Sequence, residues 1–428
     1  RMPAHHDTSL LRQLSPRILL AVPLLVRIAA WFVMWEGGRH TGQSPTSEYE
    51  IIASYMHDGK GYSCVSPTPG DFTYRYRPDA TPQPSAFMMP GYTFVLYASM
   101  LLQDATHRSF ALTLVQSLLA CFIVMMIVAA AQRFMSFSAA LCAGAVYALL
   151  PEFVLASCTA TSVVFVHAGV ALLFMMDRLF DVTSSFSDRG SWKPCIVLCA
   201  SAALLIAMRA ESLLFLGVLA LIALVRRNRR AAGALALGAA LVLVPWTMRN
   251  AMVLDRFVPL TTSGGVNLYR GHNPHEVGTW SDESLRAQLR ALPFDNSIEC
   301  RIDSVHRVAA WTTIAQDPVR ALTRASDKVF SLLTIDRLDA RSMHPVYLLQ
   351  SIVFLLLSAA GYVLMRRSGH APPTVIRTYV ICTIITTAVF FCLPRYQTML
   401  RIAFVPYAGY AAYHVVSILS RRTSTSDR

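Results

Sequence analysis

Residues 111–132 read ALTLVQSLLACFIVMMIVAAAQ, and no side chain in this stretch carries a charge. An apolar run of this length can cross the hydrocarbon core of a bilayer as a single helix. A helix satisfies all of its backbone hydrogen bonds within the segment, which lipid requires because it offers no partners. The stretch therefore predicts a membrane-spanning helix and an integral membrane protein.

Similar apolar segments recur along the chain. Hydrophobic residues make up 54% of its 428 residues and charged residues 15%, whereas about 25% is usual for charged residues in a soluble protein. We predict an all-α integral membrane fold with about ten transmembrane helices. The predicted spans are 18–35, 111–132, 138–156, 163–176, 194–208, 212–225, 231–246, 346–364, 375–392 and 402–420.

A further apolar run, 87–102, is short and contains Met89-Pro90-Gly91 near its start. A run of this length is too short for a comfortable crossing, and it predicts an interfacial or re-entrant helix.

The distribution of charge predicts an orientation. The net charge is +13, and cytoplasmic loops of membrane proteins are rich in arginine and lysine. With the N-terminus inside, the inner side carries 17 basic and 5 acidic residues, and the remainder carries 21 basic and 20 acidic. We therefore expect a plasma-membrane protein, in bacterial terms an inner-membrane one, with both termini cytoplasmic. The positive charge then implies no nucleic-acid partner.

This topology leaves two long loops outside, 36–110 and 247–345. It divides the chain into an N-terminal transmembrane module, 1–246, the second outer loop, and C-terminal transmembrane helices, 346–428. In the second loop, apolar residues recur at helical spacing over about 301–334, which predicts amphipathic helices. The sequence contains no inverted repeat of the kind that marks many transporters.

Nine cysteines occur, without a spacing typical of a metal site. Cys64 and Cys300 fall in the outer loops. Two interpretations stay open for them, a disulfide or two unrelated thiols, and the second is favoured.

Arg27 lies inside the first predicted span. It is interpreted as an arginine snorkelling toward an interface marked by Trp31 and Trp35. The alternative is a contact with a lipid phosphate or a buried partner.

Polar segments of the outer regions carry the motifs. They are EYEIIASYMHDGKGY (48–62), SAFMMPGYTFVLY (85–97), PWTMRN (245–250), FVPLTTSGGVNLYRGHNP (257–274) and PRYQTMLR (394–401). In this order the chain resembles the C-type (GT-C) membrane glycosyltransferases. It resembles in particular the branch similar to protein O-mannosyltransferases and to the aminoarabinose transferase that modifies lipid A.

The resemblance rests on four motifs. The most specific motif has three parts. Pro-Trp-x-x-Arg-Asn is matched by Pro245, Trp246, Arg249 and Asn250, and Gly-Gly-x-Asn-Leu by Gly264, Gly265, Asn267 and Leu268. Gly-Asn-Asn-Pro is matched by Gly271, Asn273 and Pro274, with His272 in place of the first asparagine. The first-loop pattern is matched by Glu48, Ala53, Gly59, Gly61 and Tyr62, and the late Arg-Tyr by Arg395 and Tyr396. The Pro-x-Tyr-Pro motif is matched only by Pro90 and Tyr92, since Thr93 replaces its second proline.

The resemblance implies sugar transfer from a polyprenyl-phosphate donor to an acceptor on the non-cytoplasmic face, with inversion at the anomeric carbon. Family members place a catalytic acid in the first outer loop, and Glu48 is the matching residue. Glu50 is the local rival and Glu36 a weaker one. Glu152 is the acid nearest to a position where some members carry a second carboxylate.

The leaving phosphate needs fixed cations, and an arginine fork binds two of its oxygens. Arg249 and Arg395 are the favoured candidates, ahead of Arg270 and Arg401, and simple interfacial anchoring is the alternative. The resemblance adds further residues that would bind the donor phosphate or sugar. They are Asn250, Asn267, His272, Asn273 and Tyr396.

We expect no metal and no cofactor besides the lipid-linked donor, with membrane lipids around the protein. The acceptor is left open between a glycolipid, a polysaccharide and a protein. Two other functions stay open. A transporter or lipid flippase would need intramembrane polar sites that the sequence mostly lacks. A catalytically silent family member would explain Pro45 where many members have aspartate, the changed Pro-x-Tyr-Pro motif and His272.

Overall fold

The computed structural model describes residues 16–36, 47–68, 71–74, 76–102, 104–180, 192–274, 285–336 and 342–426. Pro45 and the side chains of Trp35 and Glu36 lie outside this description. The helices, in chain order, are α1 Pro16–Glu36, α2 Glu48–His57, α3 Pro90–Met100, α4 Ala105–Ala131, α5 Phe137–Leu149, α6 Pro151–Cys158, α7 Val163–Met175, α8 Lys193–Met208, α9 Ser212–Val225, α10 Arg229–Leu254, α11 Gly264–His272, α12 Arg286–Arg290, α13 Ile298–Gln316, α14 Pro318–Leu333, α15 Pro345–Arg367, α16 Thr374–Val389, α17 Pro394–Arg401 and α18 Val405–Ser426.

Nine of the ten predicted spans each coincide with one helix and 138–156 coincides with two, and the chain is an integral membrane protein. Among the described residues, four helical segments are long and apolar enough to cross a membrane: α4, α10, α15 and Pro394–Ser420, which joins α17 to α18. The pair α5 and α6, predicted as the single span 138–156, forms a fifth if it is counted as one bent span. Five more apolar helices are shorter, namely α7, α8, α9, α16 and the Ala21–Met34 part of α1. The count of about ten crossings stays a prediction.

The helices pack around α4, which contacts α1, α5 and α7. Helix α8 packs against both α7 and α10, and α18 packs against both α15 and α5. Small residues allow the closest of these approaches, as is common between helices in membranes. A side chain at Gly409 of α18 would overlap the backbone of Ala143 in α5.

The two helices of the broken span meet at an angle of 51°. Pro151 has no N–H, so the carbonyl of Tyr147, four residues earlier, loses its helical donor. The N–H of Glu152 donates to Oε1 of Gln350 at 3.2 Å instead of to the Ala148 carbonyl. The break therefore leaves two buried carbonyls that need donors from elsewhere.

Arg27 supplies those donors, which corrects the interpretation that it snorkels to an interface. Its side chain is fully buried. Nη1 donates to the Ala148 carbonyl at 2.9 Å and Nη2 to the Tyr147 carbonyl at 3.4 Å. Nε donates to Oγ of Ser157 at 3.0 Å. Trp31 is also buried and donates to Ser109 rather than marking an exposed interface.

The first loop contains a small antiparallel sheet, which the all-α prediction missed. Its strands are β1 Ser63–Thr68, β2 Asp71–Thr73 and β3 Gln83–Pro84, in the order β2-β1-β3. Ser66 pairs with Thr73, and Ser63 pairs with Pro84. The strands are short and contain prolines, so they lack the alternation by which a strand is recognised in a sequence.

The two long loops pack on each other and form one face of the molecule, which we call the loop face (the described parts of 47–104 and 255–344). Val65 and Phe87 of the first loop share an apolar cluster with Val266, Ile298 and Ile302 of the second.

Three loop predictions can be compared with the helices. The predicted amphipathic stretch is confirmed as α13 and α14, separated at Asp317. The run 87–102 forms α3, which packs against α2, α4 and α8. Helix α10 continues to Leu254 with Pro245 inside it, so Arg249 and Asn250 lie on a helix rather than in a loop.

Candidate active site

Helix α2 begins with two acidic residues that have different roles. The Glu50 carboxylate accepts hydrogen bonds from the Ser47 N–H at 3.0 Å and from its Oγ at 2.9 Å, and Ser47 Oγ accepts from the Glu50 N–H. This reciprocal arrangement is a capping box. Glu50 is therefore engaged in starting the helix. Glu48 is half-buried in the same turn, where the helix N-terminus favours a negative charge.

Three arginines from separate elements meet around two aromatic rings, and we call them the arginine cluster: Arg209, Arg270 and Arg395. The guanidinium carbon of Arg209 lies 4.9 Å from the centroid of the Tyr396 ring, and that of Arg395 lies 5.7 Å from the same centroid. Arg270 lies 4.7 Å from the centroid of Phe391, whose ring meets Tyr396 edge-on at 5.5 Å. The sequence places Arg209 in the turn between α8 and α9, Arg270 on α11 and Arg395 at the start of α17.

The negative charge of Glu48 acts on one member of the arginine cluster, Arg270. Burial lowers the pKa of Arg270, and Arg395 acts in the same direction, whereas Tyr396 and Glu48 oppose the shift. The carboxylate of Glu48 therefore acts on the same group as Arg395 does. A carboxylate and fixed cations in one region can in principle act as a base and as ligands of a phosphate.

Tyr49 ties the start of α2 to the same region. Its ring is buried edge-on against Tyr92, with centroids 5.4 Å apart, and its hydroxyl donates to the Met208 carbonyl at 3.5 Å. Burial raises the pKa of Tyr49, and the positive charges of Arg209 and Arg395 oppose this shift. The residue after Glu48 thus lies within the electrostatic reach of two members of the arginine cluster.

Two buried polar atoms in this region have no hydrogen-bond partner within the described part of the chain, Nε of Arg395 and the hydroxyl of Tyr74. Burial raises the pKa of Tyr74, and the charges of Glu299 and Glu48 add to the shift. A buried polar group without a partner costs about 1–3 kcal/mol. A hydrogen-bond partner supplied to either atom, by water or by a ligand, would remove this cost.

Asn267 shares a face of α11 with Arg270. Residues three apart lie side by side on a helix, and these two are half-buried while the intervening Leu268 and Tyr269 are buried. The predicted donor residues Asn267 and Arg270 are therefore neighbours.

Arg249, a favoured phosphate ligand, binds backbone instead. Its Nη1 donates to the Ser85 carbonyl and to Oδ1 of Asn250, and Nη2 donates to the Tyr62 carbonyl at 2.9 Å. Asn250 is fully buried and donates from Nδ2 to the Val258 carbonyl at 2.9 Å. These two residues fasten the end of α10 to the loop face, and a role in donor binding stays untested for them.

His272 and Asn273 fasten the end of α11. The His272 Nε2 lies 3.0 Å from the Val389 carbonyl and 3.4 Å from Nζ of Lys328. Burial, with Lys328 beside it, lowers the pKa of His272 to about 4. The Asn273 carbonyl accepts from Nη1 of Arg324 at 2.6 Å. The side chain of His272 thus holds the end of α11 to the end of α16, and the Asn273 carbonyl holds it to α14.

Glu152 and Arg401 form a buried ion pair, with Nη1 of the arginine 2.8 Å from Oε2. Arg401 also donates to Oγ of Ser351 at 3.0 Å and to the Thr334 carbonyl at 3.1 Å. The pair joins α6 to α17 and neutralises the alternative acid. While it is paired with Arg401, Glu152 holds two helices together. Its second oxygen, Oε1, has no hydrogen-bond partner among the described residues.

Sequence reasoning missed Glu299, a fully buried acid on α13. It accepts from Oγ of Ser85 at 2.8 Å, from the Ala86 N–H at 2.7 Å and from the hydroxyl of Thr262. Burial raises its pKa to about 7 against the opposing effect of these donors. Glu299 thereby joins the two loops.

Sequence reasoning also missed Arg209. The signal was present, since Arg209-Ala210-Glu211 places charges in a very short turn between two apolar runs. Its guanidinium is buried and pairs with Glu211.

None of the nine cysteines, all of which lie in the described residues, forms a disulfide, and this includes Cys64 and Cys300. Within the described part of the chain, no three histidine, cysteine or acidic side chains are grouped as metal ligands would be.

No protein-family model matches the sequence, and no curated protein is significantly similar to it. Solved structures are similar in fold. The oligosaccharyltransferase AglB from Archaeoglobus fulgidus, in complex with an inhibitory peptide and a dolichol-phosphate, matches with a TM-score of 0.50 at 10% identity, covering 97% of this chain and 52% of that one. The apo form of the Archaeoglobus fulgidus oligosaccharyltransferase matches with a TM-score of 0.52 at the same identity and coverage. This chain thus spans about half the length of those enzymes.

ArnT from Cupriavidus metallidurans, bound to undecaprenyl phosphate, matches with a TM-score of 0.39 at 14% identity, covering 94% of this chain and 78% of that one. That likeness is too weak to bear on the fold. The oligosaccharyltransferases have the GT-C fold, and at 10% identity their likeness speaks for the fold alone. The predicted resemblance is thereby confirmed at that level, and the chain has the membrane fold of the GT-C glycosyltransferases.

Proposed function

We propose that this protein is a membrane glycosyltransferase that moves a sugar from a polyprenyl-phosphate donor to an acceptor, with inversion. The observation that carries the proposal is that Glu48 and Arg395 both act electrostatically on Arg270, while Arg270 and Arg395 lie against the paired rings of Phe391 and Tyr396. The fold supports it, because the similar archaeal enzyme was solved with a dolichol-phosphate. The charge distribution further supports cytoplasmic termini and a loop face turned outward.

In this mechanism Glu48 is the general base. The acceptor hydroxyl or amine attacks the anomeric carbon from the side opposite the phosphate, and its proton passes to the Glu48 carboxylate. The bond between the anomeric carbon and the phosphate oxygen breaks, and the polyprenyl phosphate leaves with the electron pair. Attack opposite the leaving group inverts the configuration.

The arginine cluster receives the leaving phosphate. Its charge grows as the glycosidic bond breaks, so cations held in place stabilise the transition state more than the bound donor. Nε of Arg395 supplies an unused buried donor. Arg209 adds a third cation, and its pairing with Glu211 fixes its orientation. Asn267 lies beside Arg270 and is assigned to the sugar.

The proposal is tested by Glu48→Gln, with Glu50→Gln as a matched control two residues away. Glutamine also completes a capping box, so the control should fold and retain transfer. Transfer from a labelled polyprenyl-phosphate sugar is measured in membranes. We expect Glu48→Gln to lose about 10²–10⁴-fold in rate, the usual contribution of a general base, while donor binding is retained.

Full transfer by Glu48→Gln would refute the assignment of the base. Passage of intact donor across the bilayer without cleavage would point to a flippase. Donor binding without transfer by the unmodified protein, tested across glycolipid, polysaccharide and protein acceptors, would point to a catalytically silent member.

A further inference from the structure

Helix α14 has its polar and apolar faces in an unusual arrangement. Arg324 and Lys328, four residues apart, are buried, whereas Val319, Leu322 and Phe330 are 74%, 69% and 53% exposed. The exposed residues recur at spacings that place them on one side of a helix. An isolated soluble helix would have these faces reversed.

The buried cations have a clear role. Nη1 of Arg324 donates to the Asn273 carbonyl, and Nζ of Lys328 donates to the Phe390 carbonyl at 2.7 Å. These carbonyls end α11 and follow α16, where helices leave backbone acceptors unsatisfied. The cationic face of α14 is therefore used within the protein, and its apolar face is left outward.

Hydroxyl groups on the outward side need no water. Oγ1 of Thr323 donates to the Val319 carbonyl at 3.1 Å, and Oγ of Ser326 donates to the Leu322 carbonyl at 3.1 Å. Bonds of this kind satisfy a hydroxyl within its own helix, which is what an environment without water requires. The exposed charges Arg320 and Asp327 lie together at one edge of the apolar side.

Elements next to α14 also expose apolar side chains. Lys328 fixes α14 against the end of α16, where Ile385 and Val389 are exposed on one side. In α13, the preceding helix along the chain, Trp311 is 58% exposed. A bilayer around the apolar helices would therefore meet α14 at its surface.

From these observations we infer that α14 is a membrane-surface helix, with Val319, Leu322 and Phe330 immersed in the lipid leaflet on the loop face. Its partner is the bilayer, and its polar edge faces the head groups. Because α14 holds the end of α11, immersion also fixes the height of Arg270 relative to the lipid. The inference does not depend on the proposed transfer reaction.

The test places the photoreactive residue benzoylphenylalanine at Leu322 or Phe330 of the full-length protein. The protein is reconstituted in vesicles of phosphatidylethanolamine and phosphatidylglycerol, irradiated and analysed by mass spectrometry. Position Leu356 on α15, an exposed residue of a membrane-spanning helix, is the positive control. The exposed polar residue Gln288 of the second loop is the negative control.

We expect lipid adducts at Leu322 and Phe330 in yields similar to those at Leu356, and none at Gln288. Cross-links to a second copy of the chain in place of lipid would overturn the inference in favour of a protein interface. Absence of lipid adducts at both test positions, with adducts at Leu356, would also overturn it and would mean that the face is open to water.

Discussion

Replacing Arg27 with methionine tests whether this arginine holds the broken helix together. Methionine is unbranched and replaces the aliphatic part of the arginine side chain, but it donates no hydrogen bonds. The carbonyls of Tyr147 and Ala148 would then be buried without donors. Each orphaned carbonyl costs about 1–3 kcal/mol, and release of a buried charge offsets part of this. We expect a net destabilisation of about 2–3 kcal/mol.

A second substitution, at Pro151, tests the role of Arg27 more sharply. Pro151→Ala restores the N–H of residue 151, which bonds to the Tyr147 carbonyl when the two helices straighten into one. The double variant Arg27→Met/Pro151→Ala should therefore lose less stability than the sum of the single variants, since both changes act on one carbonyl. Arg27→Lys should fall between methionine and the unmodified protein, because an ammonium keeps the charge without the planar fork.

The free energy of unfolding is measured by titrating a denaturing detergent into mixed micelles, and the thermal midpoint provides a second readout. Additive effects of Arg27→Met and Pro151→Ala would refute the shared-carbonyl reasoning. Unchanged stability of Arg27→Met would refute the wider claim that Arg27 satisfies the break.

The remaining predictions concern the loop face. The pKa of Glu299 is raised from 4.5 to about 7 in the folded protein, so its contribution to stability is full below pH 4.5 and is lost as the pH rises through 7. The difference amounts to about 3 kcal/mol, and Glu299→Gln should flatten the dependence of the thermal midpoint on pH; parallel curves would contradict this. Arg395→Lys should lower the rate of transfer by about 10²–10³-fold with little change in thermal midpoint. Arg249→Lys should mainly lower the thermal midpoint. The reverse result for the two variants would favour Arg249 as the phosphate ligand. A Cβ at Gly271 would overlap the Phe390 carbonyl, so Gly271→Ala should destabilise the protein by about 1–3 kcal/mol, and an unchanged midpoint would show that α11 can shift at no cost.

The apolar runs were sufficient to predict the apolar helices, because a bilayer imposes length and polarity on every span. They could not reveal the break at Pro151. The run 138–156 stays apolar across the proline, so hydropathy counts one segment where backbone hydrogen bonding produces two. The role of Arg27 was hidden for the same reason, since its acceptors are carbonyls that only the break exposes.

The site was predictable where the information was local. Ser47 and Glu50 carry the spacing of a capping box, and this spacing by itself separates the role of Glu50 from that of Glu48. The role of Arg249 was not local, because its acceptors are carbonyls in another loop. Glu299 was equally hidden, since nothing near it in the sequence indicates that three donors from elsewhere surround it.

The arginines of this protein can be sorted by what occupies the edges of their guanidinium groups. The edge N–H groups of Arg27 and Arg249 donate to backbone carbonyls. Those N–H groups of Arg401 donate to a carboxylate and to a carbonyl. Arg395 contacts the Tyr396 ring through its π surface, and its buried Nε has no partner among the described residues. A phosphate binds through the edge donors, not through the face. The edge of Arg395 is therefore the one on which the proposed donor phosphate should depend, and motif matching could not distinguish it from Arg249, because both residues match the family equally well.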